Sequence, residues 1–295
     1  MFDLLGIPPQ ALFGQLLLGL INGAFYALLS LGLAIIFGLL NIINFAHGAL
    51  YMMGAFVAWF LLRYAGLGYW WALVMAPPIV GAVGIVIEQL FLKWLYRLDH
   101  LYGLLLTYGL ALVIQGSFRQ EFGSSGLPYQ IPPELTGGQS LGFMFLPNYR
   151  AWVVAFSIAI CLLTWFMIER TKLGAYLRAA TENPTLVRAF GVNVPRMITL
   201  TYGFGVALAA LAGVMAAPIY QVSPQMGADL IIVVFAVVVI GGMGSIMGSI
   251  LTGFGLGIIE GLTKVFYPEA SNTVIFIIMA IVLLIKPAGL FGAQK

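Results

Sequence analysis

The sequence predicts an all-α polytopic integral membrane protein, a bundle of about eight or nine transmembrane helices with broken or re-entrant glycine-rich segments. Three observations carry this reading. Of 295 residues, 62% are hydrophobic and only 8% charged, which excludes a soluble globular domain. Apolar runs of about 20 residues recur along the chain, each long enough to cross roughly 30 Å of hydrocarbon as a helix. The runs are continuous rather than alternating, so helices and not barrel strands satisfy the backbone in lipid. No Ser/Pro/Gly-rich linker divides the chain, and one integral domain over 1–295 is expected.

The runs place spans at about 11–40, 48–62, 69–92, 101–118, 151–168, 198–218, 229–262 and 274–290. The first is too long for one upright crossing. The seventh is longer still and is expected to break near Gly241–Gly248, as two crossings or as one crossing plus a re-entrant segment. MFDLLGIPPQ has no basic n-region and two prolines, so a cleaved signal peptide is not expected. Cys161, the single cysteine, lies inside an apolar run and reads as buried packing.

With the seventh run counted as two crossings, one set of loops holds Lys93, Arg97, Arg170, Lys172, Arg178, Arg188, Arg196, Lys286 and Lys295. The other holds Arg63, Arg119, Arg150 and Lys264. The richer set is expected to be cytoplasmic, which puts residues 169–197 and the C-terminus inside and the Pro- and Gly-rich 119–150 loop outside, irregular or only partly structured. Tyr64, Tyr69, Trp70, Trp71, Tyr149 and Trp152 read as outer interfacial anchors, Trp94 and Tyr96 as inner ones. The net charge of +3 is spread over short loops and gives no reason to expect nucleic acid.

Lipid supplies no hydrophobic drive for helix association, so small residues must let backbones approach. Gly19 and Gly23 on the first span, Gly205, Ala209, Gly213 and Ala217 on the sixth, and Gly253, Gly257 and Gly261 on the seventh repeat at four-residue spacing. They read as packing stripes, with a narrow pathway as the rival. Two segments read as broken: Asn41 to Gly48, which inserts two amides and an imidazole, and Gly241 to Ser249. Irregular backbone at membrane depth must be protein-buried or line a cavity, so both are candidates for gating or solute contact. A proton relay through His47 would want a carboxylate series. The chain has only Glu88 near an inner boundary and Asp229 and Glu260 near outer ones, so His47 is expected to be a neutral imidazole bonded to the broken backbone.

The 169–197 stretch concentrates Arg170, Lys172, Arg178, Arg188 and Arg196. It predicts a helix over about Lys172–Glu182, then a second with Asn183 as N-cap and Pro184 at its first position, stopped by Gly191. Leu186, Val187 and Phe190 form a small apolar face on the second helix, which is too short to be stable alone. Either a partner's groove or the bundle's own inner face must hold it.

Three blocks resemble one family. LGAYLRAATENPTLVRAFGVNVPRM (173–197) looks like the cytoplasmic loop of the branched-chain amino acid class of ABC-importer permeases. INGAFYALLSLGLAIIFGLLNIINFAHGALYMMGA (21–55) and GGMGSIMGSILTGFGLGIIEG (241–261) are similar to its N-terminal signature and its glycine-rich late span. Length and the absence of an N-terminal extension resemble the LivH-type rather than the larger LivM-type subunits. The resemblance implies a heteromeric importer in an inner membrane: two permeases, the second a paralogue or a second copy, two cytoplasmic ATP-binding subunits, and a periplasmic substrate-binding protein. It makes Arg178, Glu182, Asn183, Pro184, Arg188 and Gly191 ATPase-coupling candidates. The more widespread permease consensus has Glu-Ala-Ala near a Gly, whereas here Arg178-Ala-Ala180 stands eleven residues ahead of Gly191.

No lysine follows a glycine, so the chain has no Gly-Lys-Ser/Thr phosphate loop. No cofactor is expected on the chain, and ATP would be bound by partner subunits. A zwitterion's pathway should be weakly polar. Asn22, Asn41, Asn44, His47, Gly48, Tyr51, Gln115, Gly244, Ser245 and Gly248 are the pathway and gating candidates, against the alternative that such residues make interhelical hydrogen bonds. Urea or short amides remain open as solutes within the same family. A stand-alone ion-coupled transporter is the second reading. An intramembrane enzyme is the third, poorly served by two histidines, His47 and His100, in different segments.

Overall fold

The structure, a computed structural model, describes residues 8–40, 43–96, 98–142 and 144–292. Among these, the helices are α1 (Pro9–Leu40), α2 (Ala46–Ala65), α3 (Tyr69–Leu90), α4 (His100–Phe122), α5 (Asn148–Arg170), α6 (Lys172–Glu182), α7 (Pro184–Ala189), α8 (Val194–Tyr220), α9 (Met226–Gly241), α10 (Ile246–Phe266) and α11 (Val274–Ile285). Seven helices are long and apolar enough to cross a membrane, while α9 and α11 are shorter apolar helices. The fold is therefore the expected polytopic all-α one, and the long seventh run divides between α9 and α10.

α1 is the axis of the bundle. Its apolar window is 83% buried within the chain, against 17% for α4. An unbroken helix of this length spans about 48 Å at 1.5 Å per residue, more than the hydrocarbon thickness. Its first residues are correspondingly exposed. α10 runs antiparallel along it at backbone contact: a Cβ on Gly257 would stand 2.4 Å from the Gly19 carbonyl oxygen, and one on Gly253 2.6 Å from Ala27 Cα. α8 crosses the other side. A Cβ on Gly205 would lie 2.8 Å from the Gly32 oxygen, and one on Gly213 2.0 Å from the Tyr51 oxygen of α2. The glycine stripes are thus packing surfaces, and Cys161 is fully buried as expected.

Two sequence expectations are corrected. His47 and Gly48 are not in a broken segment, because α2 begins at Ala46 and carries both in its first turn. Neither residue interrupts a helix there: Gly48 lets α2 press on α9, its Cβ position lying 2.5 Å from the Gly227 oxygen. Asn41 lies outside the described residues. Tyr69 and Tyr149 are not interfacial anchors, being 4% and 1% exposed. Their rings meet edge-on at 5.7 Å, and Tyr149 Oη donates to the Met215 carbonyl at 2.8 Å. Trp71, Tyr64 and Trp94 do face outward.

The 119–150 segment is partly ordered. Strand β1 (Gly138–Ser140) pairs antiparallel with β2 (Phe145–Pro147). Leu127 and Val222 exchange backbone hydrogen bonds of 2.8 and 2.9 Å, so this loop is sewn to the α8–α9 connection.

Overpacking a helix crossing typically costs about 1–3 kcal/mol. Gly213→Leu is expected to lower the thermal midpoint of the detergent-solubilised chain by several degrees. Gly116→Leu, where nothing stands within 4 Å of the new Cβ, should leave it unchanged. Equal shifts in the two variants would contradict this crossing.

Candidate coupling and translocation site

The polar loop folds as two helices held by local chemistry. α6 turns back over the end of α5 because residue 174 has no side chain: a Cβ there would sit 1.5 Å from the Ile168 carbonyl oxygen. Arg178 fastens this corner, donating through Nη1 to the Ile168 oxygen and to Glu169 Oε2, both at 3.2 Å. Asn183 Oδ1 accepts from the Leu186 amide at 3.0 Å and Pro184 occupies the first turn of α7, the N-cap chemistry that the sequence predicts. Gly191 ends α7 at φ 84°, in the left-handed region where glycine is unstrained. Asn193 Oδ1 then caps α8 through the Arg196 amide at 3.2 Å.

The apolar face of α7 is divided. Val187 is buried with Ala180 and Val194 in a small core of its own. Leu186 and Phe190 point away, 54% and 79% exposed. Glu182 and Arg188 are exposed and make no ion pair among the described residues. The helix is thus held by the chain itself while most of its apolar surface stays uncovered.

The same loop reaches the bundle's glycine turn. Gly38 of α1, Gly174, Leu177 and Arg178 of α6, and Gly244 and Ile246 line a cavity of about 80 Å³. Between α9 and α10 the chain reverses through Gly242 and Gly244, at φ 100° and 86°, and Ser245 Oγ caps α10 by accepting from the Gly248 amide at 3.1 Å. Gly248 packs on Gly241 across this hairpin. The amides of Leu290 and Phe291 close the end of α9, donating to the Ile240 and Gly241 carbonyls at 2.8 and 3.1 Å.

Of the pathway candidates, Asn44, His47 and Tyr51 fall on one face at the start of α2, spaced three and four apart. Each is at most 1% exposed. Asn44 Nδ2 donates to Tyr202 Oη at 2.9 Å and His47 Nε2 lies 3.1 Å from the Leu29 carbonyl. Asn44 Oδ1, His47 Nδ1 and Tyr51 Oη have no partner, and such buried groups are costly to leave unmade. Asn22 lies elsewhere, between α8 and α10. Its Oδ1 accepts from Tyr220 Oη at 2.6 Å and its Nδ2 donates to Glu260 Oε1 at 3.4 Å. Gln115 is half-buried on α4 and joins neither group.

Residues 15–283 match the family described as branched-chain amino acid transport system / permease component. The high-affinity branched-chain amino acid transport system permease protein LivH of Escherichia coli K12 is 32% identical, over 95% of this chain and 96% of its own. The chain belongs to this permease family. The larger LivM permease protein of the same organism is 28% identical over 92% of this chain and 68% of its own. PsaBC from Streptococcus pneumoniae in complex with Fab is similar with a TM-score of 0.45 and 17% identity, covering 91% of this chain and 89% of that one.

In this permease, sequence reasoning missed the group around Glu260. That carboxylate is 4% exposed. It accepts from Tyr26 Oη at 2.7 Å as well as from Asn22 and pairs with Lys264 at 2.5 Å. The spacing Glu260–Lys264 on a helical run was the available signal, since residues four apart share a face. Tyr26 and Tyr220 come from other helices, and nothing local announces them.

Two outcomes follow from these contacts. Asn183→Ala removes a cap worth about 1 kcal/mol, so amide hydrogen exchange across 184–190 should quicken several-fold while α8 is unaffected. Tyr26→Phe strips one donor from a buried carboxylate, and thermal unfolding should register a loss of about 1–3 kcal/mol.

Proposed function

We propose that this chain is a transmembrane permease subunit of an ABC importer for branched-chain or related hydrophobic amino acids, working in a bacterial inner membrane with its C-terminus cytoplasmic. The observation that carries the reading is the two-sided polar loop. Val187 anchors α7 to the chain, Leu186 and Phe190 stand free for a partner, and α6 shares a cavity with Gly38, Gly244 and Ile246. A cytoplasmic ATP-binding subunit gripping α7 would therefore act on the ends of α1, α9 and α10 through α6. Glu182 and Arg188 are free to meet the partner, whereas Arg178, Asn183, Pro184 and Gly191 shape the loop that presents them.

Two permeases named LivH and LivM in one organism both match this chain, which favours pairing with a paralogue over pairing with a second copy. A periplasmic binding protein would deliver the solute from the opposite face. ATP binding on the partners would favour one arrangement of the spans over another by its differential affinity for them. In that change the unpaired atoms of Asn44, just ahead of α2, and of His47 and Tyr51 on it have hydrogen-bonding capacity to offer a zwitterion.

Phe190→Asp and Arg188→Glu, expressed together with ATP-binding, permease and substrate-binding subunits from the same genome, are expected to cut ATPase recovery with the permease about tenfold or more, the scale of losing an anchor residue at an interface. ATP-dependent leucine uptake in proteoliposomes should fall in proportion. Uptake by the chain alone without ATP would overturn the assignment.

A further inference from the structure

One cavity belongs to neither the α2 stripe nor the Glu260 group. It encloses about 830 Å³ where the end of α3, the following 3-10 turn, α7 and the start of α8 converge. Lys93, Arg188 and Arg196 all line it, and none of the three side chains has a hydrogen-bond or ion-pair partner among the described residues. One carboxylate, Glu88, shares the wall. It is 1% exposed and already engaged on both oxygens, by Tyr96 Oη and, at 2.8 Å, by Thr199 Oγ1. Three cations are thus gathered around one space against a single carboxylate, whose two oxygens already accept from neutral hydroxyls and whose charge offsets theirs only in part. The excess positive charge that Glu88 leaves is relieved by water, salt or a bound anion.

The walls say which kind of anion. Ile85 and Leu200 line the cavity from the spanning parts of α3 and α8. Beside them Val86, Leu90 and Leu200 are 53%, 60% and 65% exposed, surfaces that suit acyl chains. Trp94 is 75% exposed next to Lys93, the placement of a side chain at headgroup depth. The cavity therefore passes from an apolar wall to a cationic rim across the membrane boundary. Basic pockets of this kind between helices select anionic headgroups, because arginine and lysine make charge-assisted hydrogen bonds to phosphate oxygens.

We propose that this cavity is a binding site for a phosphate-bearing anion at the membrane interface, filled by the headgroup of an anionic phospholipid. The bound phosphate joins Arg188 on α7 to Lys93 beyond α3 and Arg196 on α8, and so fixes α7 against the bundle beside Val194, which lines the cavity and also packs on Val187. The inference goes beyond the transport reading and does not rest on it.

The test uses the full-length chain in mild detergent, offered equal phosphatidylglycerol and phosphatidylcholine and read by native mass spectrometry. Wild type is expected to retain phosphatidylglycerol in preference to phosphatidylcholine by about tenfold, the scale of one or two hydrogen bonds to a charged group. The double variant Lys93→Gln/Arg196→Gln should bring the ratio close to even, and each single variant part of the way. Lys172→Gln, a cation of the same polar loop that does not line the cavity, should keep the wild-type ratio. Unchanged gel-filtration and circular dichroism profiles guard against misfolding. In a second arm, lipid-depleted chain is heated with millimolar inorganic phosphate. A rise in its thermal midpoint that the double variant lacks, without phosphatidylglycerol selectivity, would keep the phosphate site and make its occupant a soluble anion. Wild-type lipid ratios in the double variant with no phosphate response, or an equal loss in Lys172→Gln, would overturn the site.

Discussion

Backbone contact between helices is the constraint on which the rest of this structure depends. In lipid, an apolar side chain gains little by leaving its neighbours for another helix, so association rests on close packing and on polar groups that must find partners. α1 meets α10 through Gly19, Gly23, Gly253, Gly257 and Gly261, and meets α8 through Gly32 and Gly205. At these points one helix's carbonyl occupies the place where the other's Cβ would be. The positions of α2 and α3 follow, since both pack on α8 through Gly54, Gly213, Gly81 and Gly203. Lengthening any of these side chains moves a whole helix, and with it whatever that helix carries.

The polar loop borrows this rigidity. Gly174 permits α6 to double back on α5, and Arg178 spends its charge on Glu169 and a backbone oxygen at that corner. What remains exposed, Glu182 at the end of α6 and Leu186 and Phe190 around α7, is presented beside a short helix that would not persist in water unaided. The same loop touches the turn between α9 and α10, whose far side is closed by the amides of Leu290 and Phe291. Both sets of contacts thus meet at one glycine turn, with positive φ at Gly242 and Gly244.

Buried charge follows a second rule. A carboxylate removed from water must be paired or hydrogen-bonded, and both buried ones obey. Glu260 gathers Lys264, Tyr26 and Asn22 from two helices, while Glu88 gathers Tyr96 and Thr199 from two segments. The stripe at the start of α2 departs from this rule, with one hydrogen-bonding atom each of Asn44, His47 and Tyr51 left without a partner. Gln15, Tyr129, Ser157 and Thr252 each leave one buried atom unpartnered elsewhere, whereas here three such atoms fall together on one face.

Local physics made much of this legible beforehand. Hydropathy and run length mark where helices form, four-residue glycine spacing marks the faces that touch, and the Asn-Pro and glycine signals mark the ends of α6 and α7, because each of these depends on neighbours within a turn or two. The same local logic misjudged His47 and Gly48, which sit inside a helix, and Tyr69 and Tyr149, which pair in the core. Composition cannot distinguish a polar residue in a break from one in a first turn, nor an aromatic at the interface from one just beneath it. The sequence by itself determined the class, the positions of the apolar runs and the helix ends within the polar loop. Tertiary structure alone decided that α1 is the axis, that Glu260 has Tyr26 and Asn22 for partners, and that Lys93, Arg188 and Arg196 share one cavity. Those groupings join residues from separate helices, and only the packing of the bundle brings them within reach of one another.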